Sequence, residues 1–134
     1  MLKTIKKYPL TLLLVVVIFY LSLMDVPEVE IPDVSFFDKW VHFVMYGSLT
    51  SMLYTEKMYS LHKAKAFPLM RGITTRHLAL FTLLPSLMGG LLELLQAYCT
   101  NGHRSGDWLD FLANATGAVI ITTIIVVIKL RVKN

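Results

Sequence analysis

Apolar residues fall into four long runs, at about 8–24, 37–54, 78–98 and 108–128, each bounded by polar or proline-containing stretches. Runs of this length and greasiness predict helices that cross a bilayer. The first, from Tyr8 to Met24, carries no charge, follows Lys3, Lys6 and Lys7, and has Pro9 in its first turn, where a missing N–H costs little. The segment Leu21-Ser22-Leu23-Met24-Asp25 lacks a small-x-small site, so an uncleaved signal anchor is expected rather than a signal peptide. An acidic connector with Pro27 and Pro32 leads to the second run. A basic connector, Glu56 to His77, leads to the third, and part of it is expected to lie as an interfacial helix; no chemistry is assigned to it. Pro85 predicts a kink in the third run. Gly47 with Ser51, and Ala113 with Gly117, predict close helix contacts.

Polar residues interrupt this pattern selectively. Asp38, His42 and Tyr46 are spaced by four and share one helical face. Glu93 and Gln96 lie near the far end of the third run, one turn apart. Asp107, Asp110 and Asn114 follow at i, i+3 and i+7 at the start of the fourth. A bilayer core penalises a charged side chain by about 2.5–3.5 kcal/mol on insertion scales, so such residues need partners, water or a function.

Composition and charge agree with the membrane reading. The chain has 134 residues, 55% of them hydrophobic, and a mean hydropathy of +0.61. This length suits one all-α domain over 1–134. The single cysteine, Cys99, allows no intrachain disulfide. The net charge of +4 does not indicate nucleic acid, because the basic residues flank apolar runs. Eleven of the 13 lysines and arginines fall on one side of the predicted bundle, with only Lys39 and Arg104 on the other. The positive-inside rule then predicts four helices with both termini cytoplasmic, in a multi-pass membrane protein. That topology carries Asp38, Lys39, His42, Tyr46, Glu93, Gln96, Arg104, Asp107, Asp110 and Asn114 to the outer part of the bundle. The stretch from Asp38 to Tyr46 spans about 12 Å of depth there.

The ordered set Asp38-Lys39-x-x-His42-x-x-x-Tyr46, Glu93-x-x-Gln96 and Arg104-x-x-Asp107-x-x-Asp110-x-x-x-Asn114-x-x-Gly117 resembles the VanZ-like family of small bacterial membrane proteins. The resemblance implies a process, low-level resistance to the lipid-tailed glycopeptide teicoplanin, more directly than a reaction.

Several roles for the polar set remain open. Lys39, Asp38 and Arg104 also suit ordinary interfacial charges, and Asp107 suits a helix cap. Glu93 and Asn114 lie about a turn inside and require partners, which a polar lock between helices would supply. As a binding pocket, the set would hold an envelope lipid, a lipid-linked intermediate or a lipid-tailed drug, with Arg104, Lys39 and His42 facing an anionic group. As an enzyme, His42 with Glu93, Asp107 or Asp110 would do acid–base work on a lipid-linked substrate. The spacing of His42, His103 and the carboxylates matches no standard metal site, and neither metal nor cofactor is expected.

Overall fold

A computed structural model describes residues 6–24, 37–99 and 107–133, with the backbone alone at 99 and 133. Among the described residues there are four α-helices and no strand: α1 (Pro9–Leu23), α2 (Phe37–Lys63), α3 (Thr75–Cys99) and α4 (Trp108–Lys133), with a short 3-10 turn at Leu69–Gly72 before α3. The acidic connector, His103 and Arg104 lie outside the described residues.

Two stretches, Thr75–Tyr98 and Trp108–Val132, are long and apolar enough to cross a membrane, a property that the core helix of a soluble protein can share. α1 is apolar but has only 15 residues. That is about 22 Å of helix, less than a bilayer's hydrocarbon thickness.

The second helix is longer than the apolar pattern predicts. It runs past Tyr54 to Lys63, so the sequence predicted as the start of the basic connector is helical. A fall in apolar content ended the predicted span, yet nothing in Thr55–Lys63 breaks a helix: the segment has no Gly or Pro. Helicity and membrane depth are separate properties, and only the second was encoded in the hydropathy. α3 continues through Pro85, which is fully buried within it.

α2 and α4 make the most extensive contact in the molecule, and α3 packs chiefly on α4. Their pairing is parallel and in one register: His42 meets Asn114, Gly47 meets Gly117, and Tyr54 meets Thr122. Gly117 makes this approach possible. A Cβ on it would lie 2.4 Å from the backbone oxygen of Phe43 and 3.0 Å from the backbone nitrogen of Gly47. Gly89 on α3 does the same for a side chain, since a Cβ there would meet Asn114 Nδ2 at 2.7 Å.

The apolar core has two parts. Ile18, Tyr46, Leu49 and Leu92 form one, bringing α1, α2 and α3 together. Leu53, Tyr54, Ile73, Phe81 and Ile125 form the other, with the Tyr54 and Phe81 rings edge to face at 5.1 Å. Between the helices, Thr122 Oγ1 accepts a hydrogen bond from Tyr54 at 3.2 Å and shares one with Thr82 Oγ1 at 2.7 Å.

Candidate functional site

Seven of the ten residues singled out in the sequence meet where α2 and α4 begin. The α2–α4 register puts the first turns of the two helices side by side, and α3 delivers Glu93 to the same level. Lys39 sits among three carboxylates. Its Nζ is 2.7 Å from Asp107 Oδ2, 2.5 Å from Asp110 Oδ1 and 3.7 Å from Asp38 Oδ2. The first of these is a well-formed hydrogen bond. The contact to Asp110 is a close ion pair.

His42 is the second centre. Its Nδ1 lies 3.0 Å from Asn114 Oδ1 and 3.6 Å from Glu93 Oε1. Its Nε2 lies 3.8 Å from both Asp38 Oδ1 and Asp110 Oδ2. Asn114 is fully enclosed, while His42, Glu93 and Asp110 are each buried. Burying three ionisable groups side by side is costly unless their charges are matched. Four carboxylates, Asp38, Glu93, Asp107 and Asp110, face one lysine and one histidine here, so the described cluster is acid-rich.

Asp107 does two jobs. Its Oδ1 accepts the Leu109 backbone N–H at 2.9 Å, which caps α4 as its position in the sequence predicts. Its Oδ2 takes the Lys39 ammonium. That hydrogen bond, with the cap, holds the Asp107 carboxyl below the ordinary carboxylate range. The Asp107 backbone N–H in turn donates to Glu93 Oε2 at 3.1 Å, fixing the start of α4 to α3.

Three predicted site residues are placed otherwise. Tyr46 shares the face of Asp38 and His42 and packs in the apolar cluster with Ile18, Leu49 and Leu92, with its phenol close enough to Glu93 to feel its charge. Gln96 donates through Nε2 to the Ser22 carbonyl at 2.8 Å, tying the end of α1 to α3. A helical offset of three residues from Glu93 turns it to that neighbouring helix. Arg104 lies outside the described residues. Lys39, expected to meet an anionic group, is instead surrounded by carboxylates of its own chain.

One buried carboxylate escaped the sequence reading. Glu56, 7% exposed, accepts from the backbone N–H of Leu10 at 2.8 Å, that of Thr11 at 3.1 Å and the Thr11 hydroxyl at 2.6 Å. It caps α1 from α2, where the unpaired N–H groups and the helix dipole favour an anion. The signal is the same as for Glu93, a lone acid at the margin of an apolar run, but Glu56 falls at the start of the basic connector, to which the sequence assigns no chemistry.

A groove of about 530 Å³ opens between α3 and α4 beside the cluster. Leu87, Leu91, Leu94 and Phe111 line it, together with Glu93 and Asp107.

Comparison of the chain with protein-family models, with curated proteins and with solved structures yields no match. The resemblance to the VanZ-like family therefore rests on the spaced polar residues alone.

Proposed function

We propose that the chain is an integral membrane protein of the VanZ-like kind, a four-helix bundle with both termini cytoplasmic, whose His42 cluster receives the polar end of an envelope lipid or lipid-linked intermediate. Membrane residence is supported by what the apolar helices do not bury. An 18-residue apolar window in each of the two stretches is only 28% and 22% buried within the chain, whereas a core helix of a soluble protein would be mostly enclosed. Leu83, Leu87, Leu91 and Leu94 form an exposed apolar stripe along α3, which suits acyl chains and not water.

The observation that carries the ligand reading is the groove between α3 and α4. Its leucine and phenylalanine walls suit a hydrocarbon chain, and Glu93 and Asp107 mark where that chain would give way to a polar head. Because Lys39 is already matched by carboxylates, the head would be held chiefly by donating its hydroxyl or amine hydrogens to the acids. Through this binding the protein contributes to tolerance of glycopeptide and lipoglycopeptide antibiotics.

An enzymatic reading draws on one further observation, the placement of His42 within 3.6–3.8 Å of Glu93, Asp38 and Asp110. It predicts a chemically altered lipid on incubation with the protein, where binding alone predicts none. The test is mass spectrometry of lipids retained by the purified full-length chain, with antibiotic tolerance measured in the same strains. Glu93→Gln and His42→Gln should accumulate normally, lose the retained lipid and lose tolerance. Full retention and full tolerance in both would overturn the proposal.

A further inference from the structure

His42 has its tautomer set from one side. Nδ1 faces two acceptors, Asn114 Oδ1 at 3.0 Å and Glu93 Oε1 at 3.6 Å. Glu93 presents a carboxylate oxygen to the same nitrogen, which supports assigning the amide oxygen, not the amide nitrogen, of Asn114 to that contact. Nδ1 therefore carries the hydrogen and donates it. In the neutral ring, Nε2 is then a lone-pair donor.

That lone pair points where two carboxylates also point. Asp38 Oδ1 and Asp110 Oδ2 each lie 3.8 Å from Nε2, and the three atoms lie within 4.8 Å of one another. A distance of 3.8 Å is too long for an N–H···O hydrogen bond. It does match two ligands of one ion: bonds of about 2.0–2.2 Å at tetrahedral to trigonal angles place ligand atoms about 3.3–3.8 Å apart. Asp110 supplies an independent sign. It is 5% exposed; its Oδ1 meets Lys39 as an ion pair, and its Oδ2 faces His42 Nε2. A carboxylate buried to this degree is costly unless cations match it, and the one Lys39 ammonium is shared with Asp38 and Asp107.

We propose that Asp38, His42 and Asp110 bind a divalent transition-metal ion of the zinc or manganese kind. The ligand types, one imidazole and two carboxylates, suit such ions. Three protein ligands leave coordination positions for water or for an oxygen of a bound molecule. Donation of Nδ1–H to Asn114 is the kind of supporting contact that a metal-bound histidine ordinarily makes. Lys39 does not compete for the same atoms. It faces Oδ2 of Asp38 and Oδ1 of Asp110, leaving the opposite oxygen of each toward His42. Asp38 is the one exposed ligand, so the ion would enter past it. The inference concerns the cluster of the proposed function but does not depend on the lipid reading.

The test uses the full chain in detergent, stripped with chelator and titrated with Zn²⁺, Mn²⁺ or Co²⁺ alone. One ion per chain should bind, and Co²⁺ should give the visible bands of a nitrogen–oxygen ligand set. His42→Gln and Asp110→Asn should abolish the bands. Asn114→Ala, which removes the positioning contact but no ligand, should keep them and weaken affinity about 10- to 100-fold. Asp38→Asn alters an exposed side chain outside the packed core, so it decides the matter if the buried variants fail to fold. It should weaken binding at least 10-fold. Binding by Asp38→Asn as tight as wild type, or no stoichiometric binding by the wild type, would overturn the proposal. Either result would leave lipid retention unaffected as a separate measurement.

Discussion

Two ends of this bundle bury carboxylates in opposite ways. At one end Glu56 receives three hydrogen bonds from the first turn of α1, every one within 3.1 Å. At the other, Glu93 receives one backbone hydrogen bond, and Asp110 has an ion pair on one oxygen and an unbridged 3.8 Å contact on the other. Glu56 is matched by donors whose direction the helix has already fixed. Glu93 and Asp110 are matched by a lysine and a histidine shared with other acids. A complete match stabilises a fold and leaves nothing for a ligand; an incomplete one costs stability and retains binding capacity. The contrast separates a joint from a site, although both are buried acids on α2, α3 or α4.

Breaking the helix contact beneath the site should have the largest effect. Gly117→Ala places a methyl against the Phe43 and Gly47 backbones, which cannot yield as a side chain would. It should cost about 1–3 kcal/mol and separate His42 from Asn114 while leaving Glu56 on α1. Thermal unfolding in detergent, read with metal or lipid binding, would check this.

Glu56→Ala comes next. It leaves the Leu10 and Thr11 N–H groups without their acceptor and should cost about 1–3 kcal/mol. Glu56→Gln keeps one acceptor oxygen and should recover part of the loss. Lipid retention and tolerance should persist in whatever protein accumulates. Normal melting with lost tolerance would make Glu56 part of the site and erase the distinction drawn here.

Glu93→Gln should show the reverse signature. An amide can still accept from the Asp107 N–H, so stability should change by less than about 1 kcal/mol. Lipid retention should fall at least tenfold.

The smallest effect is expected from Asp107. Its carboxyl is held below its ordinary value of 3.8 by Lys39. A depressed folded value makes the group stabilising above the unfolded value, and that contribution disappears as pH falls through the folded one. The pair should thus add no pH dependence from 5 to 8, and its contribution should fade below about pH 4. Asp107→Asn should flatten that acid limb when unfolding is followed against pH.

The apolar runs and the spacing of the polar residues were enough to place four helices and to mark His42, Glu93, Asp110 and Asn114, because burial and helical periodicity are both written locally. They also showed Asp107 as a cap, a contact made within four residues of chain. Pairing lay beyond them. Lys39 serves Asp107 and Asp110 because Gly117 lets α4 approach α2 in one particular register, and no residue at position 39 encodes its partner 68 positions away. Gln96 turns to Ser22, and Tyr46 into the core, for the same reason: a helical face is legible in one chain segment, but the neighbour it meets is not. Glu56 shows this most directly. Its sequence context is the start of a basic connector, and only the docking of α1 against α2 supplies the helix terminus that makes its burial favourable.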